Sequence, residues 1–131
     1  AASVLDWLQQ YNTNSKVVWV AGFSFGAWVA MQLLMRRPEI NNFISVSPPA
    51  NTRDFSFLAP CPSTGLIVHG DKDTITSFDS TKILSEKLQK QKKVNIHFKS
   101  IKGADHFYEN FTDQFSSIID NYIKDSLADL K

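Results

Sequence analysis

Hydrophobic positions along this chain come in blocks whose length and spacing change in a regular order. Val17-Val18-Trp19-Val20-Ala21 is a continuous apolar run rich in β-branched residues, the pattern of a strand covered on both faces. Ala27 to Met35 is almost wholly apolar and too long for a strand, so it reads as a buried helix. Arg36-Arg37-Pro38 ends that helix, because proline cannot continue it and two arginines suit its negative end. The spacing predicts helix 3–11, strand 16–21, helix 26–36, strand 42–46, strand 65–69, helix 76–91, strand 94–101 and helix 106–127. In helix 76–91 the apolar stripe begins at Ile83 and continues through Leu84, Leu88 and Gln91. In the last helix Phe107, Phe111, Phe115, Ile118, Ile119 and Tyr122 share one face, which reads as core packing rather than a cofactor site. Strands alternating with helices imply an α/β fold, a parallel sheet with helices on both faces.

The most informative local feature is the junction Gly22-Phe23-Ser24-Phe25-Gly26, where the first strand runs into the first long helix. A serine hydroxyl is a poor nucleophile until geometry and a base activate it. A sharp strand-to-helix turn holds Ser24 Oγ clear of its own backbone. Gly22 and Gly26 are expected to flank the turn because side chains there would collide. The helix N-terminus adds free N–H groups and partial positive charge where an oxyanion would form.

A nucleophilic serine needs a base, and the base needs an acid that fixes its tautomer. Two further strand ends supply candidates: Gly65-Leu66-Ile67-Val68-His69-Gly70 leads into Asp71-Lys72-Asp73, and Val94-Asn95-Ile96-His97-Phe98 leads into Gly103-Ala104-Asp105-His106-Phe107. Ser24, Asp73 and His106 thus stand in the order Ser…Asp…His, each after a strand. In a parallel sheet such loops emerge at one edge.

In these pieces the chain resembles an α/β-hydrolase from its nucleophile turn to its C-terminus. Gly-Phe-Ser-Phe-Gly, His-Gly-Asp-Lys-Asp and Gly-Ala-Asp-His-Phe carry the resemblance, in family order. The short form and the Gly-Ala-Asp-His-Phe ending look like the dienelactone-hydrolase-like small esterases. The resemblance implies Ser24 as nucleophile, the Phe25 amide as one oxyanion donor and His106 as general base and then acid. It implies Asp73 as the orienting acid, since the family's His-Gly-x-x-Asp pattern ends on that residue. Asp71 is the rival, with holding the turn through its own backbone as its other role. Asp105 reads as loop-stabilising, His69 as a packed and hydrogen-bonded histidine, and His97 as a mid-strand residue without catalytic part. The implied substrate is a small-molecule acyl ester, with no cofactor. No histidine, cysteine and carboxylate cluster has metal-ligand spacing.

Composition narrows the field further. At 131 residues the chain is a single domain, 1–131, with no cap domain: the stretch 47–64 is too short for one. Phe55, Phe57 and Leu58 in that stretch are candidates for the rim of an open site or for packing beneath the loop. A net charge of +1 gives no argument for nucleic acid or membrane as partner. Lys82, Lys87, Lys90, Lys92, Lys93, Lys99 and Lys102 form a locally basic stretch without interleaved aromatics, which reads as a solvated face. The single Cys61 has no partner for an internal disulfide and suits a reducing, cytoplasmic setting. No run of about 20 apolar residues exists to span a bilayer.

Against the hydrolase pattern, the N-terminal strands are lacking: only helix 3–11 precedes the nucleophile strand. The expected domain is therefore partial, with its second oxyanion donor outside the chain. The apolar strand edge at Val17 to Val20 would be open to a second copy of the chain or to an N-terminal partner segment. Two functions follow, a serine hydrolase of esters or thioesters, or a catalytically inert hydrolase fragment or interaction module that uses the exposed edge.

Overall fold

The computed structural model describes residues 18–128 apart from 59 and 93. Helix 3–11 and the first residues of strand 16–21 lie outside the described residues. Four strands, β1 (Trp19–Phe23), β2 (Asn42–Val46), β3 (Thr64–Gly70) and β4 (Ile96–Ile101), form one sheet in the order β1-β2-β3-β4. Every pairing is parallel. Three helices follow strands: α1 (Phe25–Arg36) after β1, α2 (Phe78–Gln89) after β3 and α3 (Thr112–Ala128) after β4. β2 and β3 are joined without a long helix, through a single 3-10 turn at Ser56–Leu58.

The strand side chains alternate between two cores, as the pleat requires. Phe43, Ile67 and Ile96 point to one face, where Met31 and Leu34 of α1 and Leu88 of α2 cover them. Ile44, Leu66, Val68 and Ile101 point to the other, where Tyr122 of α3 closes the layer with Phe115, Ile118 and Ile119 beside it. β2 and β3 are buried along almost their whole length. β1 is more open and, among the described residues, pairs only with β2.

Two helix readings change. The last helix begins at Thr112 rather than at residue 106, because Tyr108 and Asn110 take φ values of 56° and 68°, outside the helical region. Phe107 therefore lies outside the helix and is 66% exposed instead of joining the core stripe. On α2 the buried face is Thr81, Ser85 and Leu88, while Ile83 faces solvent. Its polar members hide well because each hydroxyl has an acceptor, Thr81 on the Pro48 carbonyl at 3.2 Å and Ser85 on the Lys82 carbonyl at 2.8 Å. Ser77 starts the helix, its hydroxyl accepting from the Ser80 amide at 3.1 Å.

One glycine sets the angle between β1 and α1. A Cβ on Gly22 would lie 2.3 Å from the Gly26 carbonyl oxygen and 2.7 Å from the Ala27 nitrogen, so the strand and helix backbones are in contact there. A Cβ on Gly26 would meet nothing within 4 Å, so the collision expected on that side does not occur among the described residues. Gly22→Ala should therefore lower stability by about 1–3 kcal/mol, the usual cost of overpacking. The change is read as an earlier midpoint of urea unfolding at unchanged slope. An unmoved midpoint would mean that the two backbones separate freely.

Candidate functional site

All four strands run the same way, so the segments after β1, β3 and β4 leave the sheet at one edge. Those segments carry Ser24, Asp73 and His106.

Ser24 sits between β1 and α1 with φ 56° and ψ −121°. That region costs a non-glycine residue about 1–3 kcal/mol, and the surroundings must impose it. They do so from both sides. The Ser24 amide donates to the Val46 carbonyl at 2.8 Å, extending the β1–β2 ladder, and its carbonyl accepts from the Ala27 amide at 2.9 Å, starting the helix. The Ser24 side chain makes no cap to its own helix, which leaves Oγ available. The first amides of a helix have no partner within it, and Phe25 N–H is the first of these.

Asp73 lies in the loop between β3 and α2, its side chain fully buried. Its Oδ1 accepts from the Ile75 and Thr76 amides, each at 2.8 Å. Its Oδ2 accepts from the Thr76 hydroxyl at 2.8 Å and from His106 Nδ1 at 2.7 Å. Burial alone would raise the carboxyl, but the Thr76 amide, His106, the Thr76 hydroxyl and the Ile75 amide outweigh it and hold Asp73 below the usual carboxylate range. The group is an anion, so His106 carries its proton on Nδ1 and presents a bare Nε2. Ser24 Oγ stands 3.0 Å from that Nε2 and donates to it.

The His106 loop is pinned from beneath. Ala104 accepts from the Lys72 amide at 3.0 Å, and Gly70 allows the approach, since a Cβ there would lie 2.4 Å from the Ala104 oxygen. Tyr108 is buried, its hydroxyl donating to the Val68 carbonyl at 3.3 Å and lying 2.6 Å from Ser47 Oγ. Burial, against the Ser47 hydrogen bond, pushes the phenol up to about 12. The His106 ring is 4% exposed and lies between Phe23, at 5.0 Å between centroids, and Phe107, at 5.1 Å and edge-on.

The other candidates fall elsewhere. Asp71 does not close its own turn: its Oδ1 accepts from the Gly103 amide at 2.6 Å, tying the two loops together. Asp105 accepts from the Glu109 amide at 2.9 Å. His97 is an exposed strand residue set edge-on to Tyr122. His69 is fully buried and reaches Thr76 and Asp73. Phe55 and Leu58 are buried in the core, with Phe57 packed against it, so they serve beneath the loop. Cys61 is a buried free thiol that burial pushes up. The lysines placed on a solvated face are exposed wherever they are described.

Thr76, Tyr108, Ser47 and Arg53 carry no sequence signal strong enough to single them out. The nearest to one is Thr76, three residues after Asp73 and so in reach of its carboxylate as in an Asx turn. Arg53 lies 5.1 Å from the centroids of both Phe25 and Trp28, and the Trp28 indole donates to the Asp54 carbonyl at 3.1 Å. These contacts fold the β2–β3 connection against the start of α1. Among the described residues, no group of histidines, cysteines and carboxylates could hold a metal ion, and no helix is long and apolar enough to cross a membrane.

The chain's similarity to known proteins is extensive. The dienelactone hydrolase family model matches residues 1–128. An uncharacterized protein of Rickettsia prowazekii is 53% identical over 127 residues, covering 94% of this chain and 53% of that protein. The crystal structure of a protein of unknown function from Agrobacterium tumefaciens matches with a TM-score of 0.94 and 49% identity, over 97% of this chain and 58% of that one. An α/β serine hydrolase without a lid from Xanthomonas campestris matches with a TM-score of 0.81 and 25% identity, over 92% of this chain and 52% of that one. This chain spans little more than half the length of each.

The lowered Asp73 carboxyl has a consequence for stability. A depressed folded-state value stabilises the fold fully above the ordinary aspartate value, and that contribution is lost as pH falls through the folded value. The stability gap between the native protein and Asp73→Asn should be widest above about pH 4 and close below it. Urea unfolding at a series of pH values measures the gap, and a gap independent of pH would contradict the assignment.

Proposed function

Since the chain belongs to the dienelactone hydrolase family, we propose that it carries the catalytic machinery of a serine hydrolase that cleaves carboxylic esters or thioesters. One observation carries this reading: the unbroken hydrogen-bonded series from Ser24 Oγ through His106 to Asp73, with links of 3.0 and 2.7 Å.

In this reading Ser24 Oγ attacks the carbonyl carbon of the ester while its proton passes to His106 Nε2. The carbonyl oxygen becomes an oxyanion and accepts from the Phe25 amide, with the N-terminal end of α1 favouring the charge. Collapse of the tetrahedral intermediate breaks the bond to the alkoxide or thiolate, which takes the proton from His106. A water then gives its proton to the same Nε2 and attacks the acyl-enzyme. The second collapse frees the carboxylic acid and returns the proton to Ser24. Asp73 stays ionised throughout, orienting His106 and stabilising its charged form. No cofactor enters the cycle.

The Phe25 amide is one donor, and oxyanion holes ordinarily use more than one. Loss of a single donor typically costs about 10²–10³ in turnover. We take the second to come from outside the described residues and the domain to be part of a larger one, in keeping with the length of the relatives. The substrate is a small acyl ester, and among the described residues the β2–β3 connection is too short to place a cap domain over the site. The lone buried thiol suits a reducing, cytoplasmic setting.

A second reading rests on β1, which among the described residues has a strand on one side only. An inert hydrolase piece or interaction module would use that edge to bind a second copy or a partner segment.

A fluorophosphonate probe separates the two. The hydrolase reading expects a single covalent adduct on Ser24, absent in Ser24→Ala and formed about 10²–10⁴-fold more slowly in His106→Ala. A folded protein that forms no adduct but elutes as a dimer or larger species would favour the second reading.

A further inference from the structure

His69 is the one described histidine that is wholly enclosed, with no exposed surface and the Phe78 ring set edge-on at 5.9 Å. Its Nε2 faces three oxygens: the Thr76 carbonyl at 3.2 Å, the Thr76 hydroxyl at 3.2 Å and Asp73 Oδ2 at 3.3 Å. A carbonyl and a carboxylate can only accept, so a bare Nε2 would set lone pair against lone pair. The proton of the neutral ring is therefore on Nε2. Burial holds the imidazole below its ordinary value, assisted by His106 and opposed by the Thr76 carbonyl and Asp73. Nδ1 is then an acceptor, and among the described residues it has no partner.

The Thr76 hydroxyl completes the arrangement. It has one proton to give, and the charged Asp73 Oδ2 at 2.8 Å is its strongest acceptor. Its lone pairs then face His69 Nε2–H and His106 Nδ1–H, the latter at 3.3 Å. One hydroxyl thus sits between both imidazoles and the carboxylate, its proton on Asp73 and the His69 N–H facing its lone pairs. Packing alone does not account for an imidazole in this slot. An apolar side chain of equal size would fill it without leaving a nitrogen unpaired.

We propose that His69 is a positioning residue whose Nε2–H, acting on Thr76 and Asp73, aims the Asp73 carboxylate at His106. The proposal rests on the reading of Ser24, His106 and Asp73 as a catalytic triad. His69 touches neither substrate nor nucleophile, so its effect passes entirely through the orientation of the acid.

The test compares three substitutions by thermal unfolding, by the rate of Ser24 phosphonylation and by the far-downfield proton resonance of the His106–Asp73 hydrogen bond in unreacted protein. His69→Gln keeps an N–H donor near the place of Nε2. His69→Leu fills the volume without a donor, and His69→Asn keeps the polarity but draws the donor back. Leu and Asn should weaken or displace the resonance and slow phosphonylation by about tenfold, the rate equivalent of one ordinary hydrogen bond. Gln should restore both. A folded His69→Leu with native resonance and rate would overturn the proposal. So would equal losses in all three that merely follow their melting temperatures. If His69→Leu does not fold, the Gln and Asn proteins decide, and identical resonances in those two overturn it. If the native protein forms no adduct at all, the hydrolase reading fails, while the resonances still decide the part of His69.

Discussion

A carboxylate can be buried as an anion only where donors surround it, and the loops above this sheet are arranged to meet that demand at Asp73. Two backbone amides, a threonine hydroxyl and an imidazole converge on its two oxygens. The amides come from residues two and three positions later, so the carboxylate organises its own loop through local bonds. With that loop in place, the remaining lone pairs of Oδ2 point where the His106 segment crosses. The tautomer of His106, the bare Nε2 it presents and the proton it can take from Ser24 all follow from the charge on Asp73.

The second constraint is mechanical. Ser24 is held at a positive φ by hydrogen bonds from β2 on one side and from α1 on the other, and Gly22 lets the two backbones touch. A strained residue persists only if its neighbours are themselves rigid. Here they are the pairing of β1 with the buried strand β2 and the first turn of a helix anchored in the core by Ala27, Ala30, Met31 and Leu34. Ser24 and His106 are thus held by different parts of the molecule. The serine is fixed by the β1–α1 junction, the histidine by Tyr108 and the tie from Asp71 to Gly103.

Much of this was legible in the chain itself, because the strongest signals are blocks of apolar residues and the punctuation between them. The four strands and three of the helices follow from those blocks, and the positions of Ser24, Asp73 and His106 follow from the strand ends. What escaped has a common cause. Thr81 and Ser85 are buried although their side chains are polar, because each hydroxyl finds a carbonyl, Thr81 that of the distant Pro48 and Ser85 that of Lys82 in its own helix. Phe107 is exposed although aromatic, because positive φ values at Tyr108 and Asn110 delay the helix. Asp71 bonds to another loop and not to its own turn, a tertiary choice that no local pattern records. Hydrophobic spacing reports which residues can be buried, whereas the satisfaction of a hydrogen bond by a distant partner decides which polar ones are.

The sequence separation within the site carries a further meaning. Ser24 and His106 are 82 residues apart, and Asp73 and His106 are 33 apart. The link from Asp73 to His106 needs β3 and β4 to pair, and the link from Ser24 to His106 needs all four strands, since β1 and β4 are the outermost of the described strands. Non-local contacts of this kind form late, after the closure entropy of the intervening chain has been overcome. A shift of one residue in any of the three pairings would exchange the side chains of the two cores and carry the loops out of register with one another. A partly folded chain therefore holds Ser24 without His106 beside it. On the proposed hydrolase reading, such a chain has no activated nucleophile to spend on its surroundings before the sheet is complete.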